Sequence, residues 1–517
     1  MFNAKNHFNS AIVSMSTTIQ KFSVYFFICA IFLFFNLPVF AQQTIEAFIK
    51  FDSARPTSFS VEGKFLRETG TRQNKNWTFL NFLNNAPTAE NLAERITDFN
   101  LTDKNGQKIP FKKFAAGEYL AEKNAENWAY LVEINKPQNV NSIRRASWID
   151  GEQGILMLDD LLPQFSPGDN HPVSALIRFD LPDGWKIISR EKQTAANVFE
   201  VENVEKAIFL IGKNWREKEI LTDGGKLNFV TSGNWQFSDV EAEKTVAGIF
   251  TEYKNLFGEI PNEKVQISLV HFPKDVKFGR WQAETRGSNL TVLSSDMPFK
   301  TLALQRLHEQ LRHELFHLWM PNNLALTGNY EWFYEGFTVY QALKTGVKMN
   351  QIRFEDFLDT LSQGYNLDNL QTQKVSFVDA SKNNPSGANP QVYARGMVAA
   401  FLCDAALLRT SRGKRSISNV FQDIYQKHRK PNEPQDGNQA ILNVLSEYKE
   451  LDSTIEKYIK GTEKIDWKTD LESLGIEQLK ENGFVRLEVK AKPNGRAKDL
   501  LDRLGYNNWR KISVETK

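Results

Sequence analysis

His313-Glu314-Leu315-Phe316-His317, a gap of seventeen residues, and then Glu335-Gly336-Phe337 form the stretch on which the reading of this chain turns. On a helix, two residues four apart project from one face about one turn apart, the reach two imidazoles need to hold one metal ion. Glu314 points about 100° around the helix from His313, so it cannot join them as a ligand. A further carboxylate follows on a second predicted helix, at Glu335 or, one turn earlier, at Glu331. A hydrolytic zinc ion takes three protein ligands and keeps one position open. Glu314 is then placed as general base, taking a proton from a zinc-activated water and returning it to the leaving amine.

Working outward, Leu304, Leu307, Leu311, Leu315 and Leu318 recur at helical spacing within an arc of about 80°, and His313 and His317 lie roughly opposite, about 40° from each other. The leucines predict the face bound to the core, and the histidines the face that lines a cleft. His308 has the wrong spacing to share the site and reads as a surface or packing residue.

The chain has 517 residues, enough for two to four domains. Charged residues make up 24% of it and the formal net charge is +2, so no nucleic-acid footprint is present. The two cysteines are Cys29 and Cys403; apolar neighbours around Cys403 predict a buried helix, where cysteine behaves as a small hydrophobe. Residues 1–41 read as a secretory signal peptide: Lys21, an apolar run over 22–40, and small residues at Val39 and Ala41. The alternative for that run is an uncleaved membrane anchor. Cleavage predicts a secreted or periplasmic protein with no membrane contact.

From 42 to 215 the pattern is β, with alternation over 44–51, 58–65, 128–134 and 175–179 and turns between, which predicts a β-sandwich domain. Around Pro87 the alternation weakens, and Thr88 is positioned to cap a short helix over 89–96. From 216 to 465 the pattern changes. A helix is expected over 239–257, with Val240, Val246, Ile249, Phe250 and Leu256 on its apolar side, then strands at 264–271 and 290–293, then mostly helices. Residues 466–517 form a C-terminal appendage with a strand over 484–489 and a helix over 496–504. The fold class is α+β.

The run from His313 to Trp319, with Glu335-Gly336-Phe337-Thr338-Val339-Tyr340, resembles the gluzincin metallopeptidases, above all the glycyl aminopeptidase family, with the alanyl aminopeptidases as cousins. Downstream, Tyr393-Ala394-Arg395-Gly396 and Gly413-Lys414-Arg415-Ser416 are similar to that family's Tyr-X-Lys-Gly helix and following turn; upstream, Leu181-Pro182-Asp183-Gly184-Trp185 is similar to the end of its β domain. The resemblance covers most of 175–465. It implies a thermolysin-like catalytic domain, zinc held by His313, His317 and Glu335, a peptide substrate, and Tyr393 as donor to the oxyanion on the attacked carbonyl. It also implies that Glu284, within Trp281-Gln282-Ala283-Glu284-Thr285-Arg286, grips the substrate's free amine, although the glycines that precede this glutamate in the family are absent here. The gap after His317 is one residue shorter than in the alanyl relatives, so the loop over 320–330 is expected to close differently. The leading expectation is a zinc-dependent peptide hydrolase; the alternatives are a zinc hydrolase of another amide or ester, and a non-catalytic secreted binding protein.

Overall fold

A computed structural model describes residues 45–52, 54–66, 78–163, 173–222, 225–261, 264–371, 374–383 and 390–507. The expected signal peptide lies outside the described residues. Among those described, no helix is long and apolar enough to cross a membrane.

The N-terminal part is β-rich. Its main sheet has seven strands, in which Ile45–Phe51 runs parallel to Ala175–Asp180 and antiparallel to Ser58–Phe65, and Asn127–Glu133 follows. Alternation drives this: Ile45, Ala47 and Ile49 are buried on one face of their strand. A four-stranded sheet built around Gln153–Met157 and Ile208–Gly212 lies beside it.

The short helix expected over 89–96 is largely replaced. Thr88 has φ 69°, and its hydroxyl donates to the Asn141 carbonyl at 2.7 Å instead of capping a helix. Only a single 3₁₀ turn forms, at Leu92–Arg95, because Ile96 already begins the strand Ile96–Thr102 against Asn127–Glu133.

Arg216–Thr222 opens a five-stranded sheet that continues through Gly225–Thr231, Lys264–His271 and Asn289–Ser294 to Trp281–Arg286 at its edge. A third apolar core joins the two halves, packing Trp148, Met157, Ile208 and Trp215 with Val230, Val270 and Leu293. The helix Asp239–Phe257 starts at a capping box made by Ser238 and Glu241. Its Val246, Ile249 and Phe250 are buried as expected, but Val240 is exposed, since it lies off the face that Ala242, Val246, Ile249 and Phe250 turn to the core.

Helices then dominate from Lys300 onward. The appendage carries the strand Phe484–Val489 and the helix Gly495–Leu504, both packed against the helical core. Cys403 is fully buried and free, and burial pushes its thiol up, which fits a packing role.

Candidate metal centre

The helix Lys300–Phe316 carries His313 and Glu314, and His317 follows as its C-terminal cap. Leu307, Leu311, Leu315 and Leu318 are buried at 2% exposure or less, while Leu304 is only partly buried. Each fully buried leucine contributes about 1.5–3 kcal/mol, so the stripe fixes the helix's rotation and with it the direction of the histidines. His308 is a packing residue: it is buried, and desolvation and the charge of Arg312 push its pKa down to about 3.

His313 Nε2 lies 3.1 Å from His317 Nε2 and 3.1 Å from Glu335 Oε2, and His317 Nε2 lies 3.6 Å from the same oxygen. Ligands about 2.0–2.1 Å from a tetrahedral ion stand about 3.3 Å from one another, so the triangle fits zinc. Among the described residues this is the one cluster of its kind, and Glu331 is outside it. His317 Nδ1 faces the Met320 carbonyl at 2.9 Å; its proton donates there and leaves Nε2 free for a metal.

A metal ion would have to displace a proton that the site otherwise favours: burial would lower the His317 pKa, but Glu335 and then Glu314 outweigh it and hold the imidazole up at about 9. Burial likewise raises Glu335, and the two histidines overcome it and hold the carboxyl well below the usual range.

Glu314 is buried and accepts a hydrogen bond from the Thr285 hydroxyl at 3.1 Å. Thr285 was not singled out by the sequence, because a threonine in a strand signals nothing about a base on a distant helix. Tyr393 sits on the helix Pro390–Ser411, with its hydroxyl close enough to Glu335 to feel that carboxylate's charge. Burial, with the charges of Glu335 and Glu331, pushes that phenol up, so it stays protonated as a donor. Val339, Gly364, Leu367, Tyr393, Ala394 and Met397 line a largely apolar cavity of about 460 Å³ beside the tyrosine.

Two glycines set the distance between Tyr393 and Glu335. Gly336 and Gly396 lie back to back, and a Cβ on Gly396 would stand 2.8 Å from Gly336 Cα and 2.8 Å from the Trp332 carbonyl oxygen. Only bare backbone lets the two helices approach this closely. Arg395 secures the pairing from behind through Asp368 at 3.1 Å and the Glu463 carbonyl.

Glu284 lies on the edge strand Trp281–Arg286, buried, with its carboxylate paired to Arg145 and 3.5 Å from Arg286. Arg286 also pairs with Asp159 at 2.6 Å. Arg145 and its neighbour Arg144 come from the 3₁₀ helix Val140–Arg145 of the N-terminal half, and Arg144 Nη1 donates to the Ala283 carbonyl at 2.9 Å. Nothing in the sequence pattern marked either arginine. The loop after His317 closes through a short strand, Leu326–Thr327, paired in parallel with Gln435–Asp436, with the Ala325 N–H donating to the His428 carbonyl.

Comparison with known proteins adds to this. Residues 88–208 match the Peptidase M61 N-terminal domain. The fold is similar to that of an aminopeptidase N family protein from Idiomarina loihiensis, at 17% identity and TM-score 0.71 over 84% of this chain and 79% of that one. It is also similar to an M1 zinc metallopeptidase from Deinococcus radiodurans, solved as a point mutant with a Tyr-Ser-Ala substrate, at 13% identity and TM-score 0.52 over 81% and 94% of the two chains. No curated protein sequence matches. The matched family model covers less than half of the chain, and the solved structures share its two-part fold.

Proposed function

We propose that this protein is a zinc-dependent peptide hydrolase of aminopeptidase type. The observation that carries the reading is the triangle of His313, His317 and Glu335 with Glu314 and Tyr393 beside it. His313, His317 and Glu335 would hold the ion. Bound there, zinc supplies Lewis acidity toward a water molecule and toward the peptide carbonyl. Glu314, held by Thr285, accepts the water's proton and passes it to the departing amine. Tyr393 donates its hydroxyl hydrogen to the oxygen on which negative charge develops.

An aminopeptidase also needs an anion for the substrate's ammonium group. Glu284 was expected to supply it, but two guanidiniums already match its charge. Glu331 has no ion pair among the described residues, and burial and Glu335 raise its pKa. It is the better candidate for that contact. The likeness to a metallopeptidase crystallised with a tripeptide supports short peptides as substrates. Export through the N-terminal apolar run, to the periplasm or outside the cell, belongs to the same reading.

The test pairs metal analysis by mass spectrometry with hydrolysis of aminoacyl-naphthylamides and of N-terminally blocked peptides. One zinc per chain and release of free N-terminal residues are expected. The variant Glu314→Gln should keep its zinc and lose at least 10²-fold in kcat, as expected on removing a general base. Zinc without hydrolysis of any peptide would overturn the proposal in favour of a binding protein on this fold.

A further inference from the structure

The edge strand Trp281–Arg286 is covered by a turn from the other half of the molecule, and three guanidiniums gather there: Arg145 and Arg286, which pair with Glu284 and Asp159, and Arg144. Arg145 and Arg286 use both carboxylates. Arg144, half-buried, forms no ion pair among the described residues; its one hydrogen bond there goes to the Ala283 carbonyl. A guanidinium has five N–H donors in a planar fork, so most of its capacity is unspent.

Its position is fixed. The 3₁₀ turn that carries it is capped by the Asn139 side chain, and Thr88 ties to the same turn through the Asn141 carbonyl. Arg280, just before the edge strand, and Gln282 within it both donate to Asn141 Oδ1. The clamp between turn and strand is made by Arg145, Asn141 and one N–H of Arg144, which leaves the rest of the Arg144 fork free. Ala283 is two residues before Thr285, the partner of Glu314, so the anchor of the cation and the contact to that glutamate lie on the same strand, two residues apart. Its field reaches both Glu331 and Tyr393.

We propose that Arg144 is a specificity-determining residue that binds a carboxylate of the peptide substrate near the bond that is cut. The carboxylate is either an acidic side chain or the free α-carboxylate of a very short peptide. The fork geometry suits bidentate pairing with such a group in a partly desolvated cleft. The proposal rests on the peptidase reading above and deepens it by naming a substrate class.

The experiment uses matched peptides, Asp- or Glu-containing against Asn- or Gln-containing, each with a free or amidated C-terminus. KM is measured on the zinc-loaded enzyme, and binding is measured by calorimetry on the Glu314→Gln protein. A preference of at least tenfold in KM and Kd for one acidic form is expected. It should fall to near one in Arg144→Gln and be kept in part by Arg144→Lys, which retains the charge without the fork. Loss of preference on amidation assigns the α-carboxylate; loss on Asn or Gln replacement assigns the side chain. Hydrolysis with no charge preference, or a preference that survives Arg144→Gln, overturns this inference alone. Acid-selective binding with no hydrolysis overturns the peptidase reading alone.

Discussion

The variant Gly396→Ala isolates how the helices set the site. A Cβ there would meet Gly336 Cα and the Trp332 carbonyl oxygen, each at 2.8 Å. Ordinary carbon contacts begin at about 3.5 Å, so the helices Gly336–Lys348 and Pro390–Ser411 must part by roughly 0.7–1 Å. Overpacking of this kind costs about 1–3 kcal/mol of stability. The larger effect should be on rate. Glu335 precedes Gly336, and Tyr393 lies one turn before Gly396, so the displacement falls on the tyrosine–glutamate distance, and a misplacement of about 1 Å costs on the order of 10²-fold. The assay is kcat/KM beside thermal unfolding, with Gly364→Ala as control. A Cβ at Gly364 meets the flexible end of Met397 at 2.4 Å, which can repack without moving either helix. If Gly396→Ala folds with unchanged kcat/KM, or if Gly364→Ala loses as much activity at equal loss of stability, the helix-contact argument is refuted.

Tyr393→Phe should bind zinc normally and lower kcat by roughly 10²–10³ with little change in KM, the cost of one oxyanion donor; steady-state kinetics with metal analysis checks this. His308→Leu should flatten the pH dependence of stability. The unfolded chain takes up this proton near pH 6.5, whereas the folded one refuses it until about pH 3, so the contribution is intact above pH 6.5 and is lost as pH falls. Between those limits the slope is up to about 1.4 kcal/mol per pH unit. Denaturant unfolding of wild type and variant at pH 5 and pH 7 should differ by that slope.

The shared direction of His313 and His317 was legible because helical periodicity is local: two histidines four apart and a leucine stripe opposite them fix a direction without any tertiary information. Glu335 against Glu331 was not decidable that way, since both lie on one short helical face; it is the Glu335 carboxylate that stands 3.1 Å from His313. The strands over 58–65 and 264–271 were readable from alternation, although the second is buried on both faces. Thr88 was misread because its hydroxyl found the carbonyl of Asn141, 53 residues away. Thr285, the Gly336–Gly396 contact and Arg144 were invisible for the same reason, because each matters only through a partner far along the chain.

That dependence on distant partners also explains why the N-terminal half belongs to the site. The apolar cluster linking Trp148 and Met157 to Val230 and Leu293 welds its four-stranded sheet to the cleft sheet. The turn Val140–Arg145 therefore reaches the edge strand as a fixed wall rather than a loop in solution. Charge follows from that wall: Arg145 neutralises Glu284, the carboxylate expected to hold an amine, and Arg144 adds a cation beside Glu331. A cleft with Glu331 for an ammonium and Arg144 for a carboxylate is complementary to a peptide end that carries both signs. Its preferences should then respond to ionic strength less than those of an exposed pair, because the partly buried fork is weakly screened.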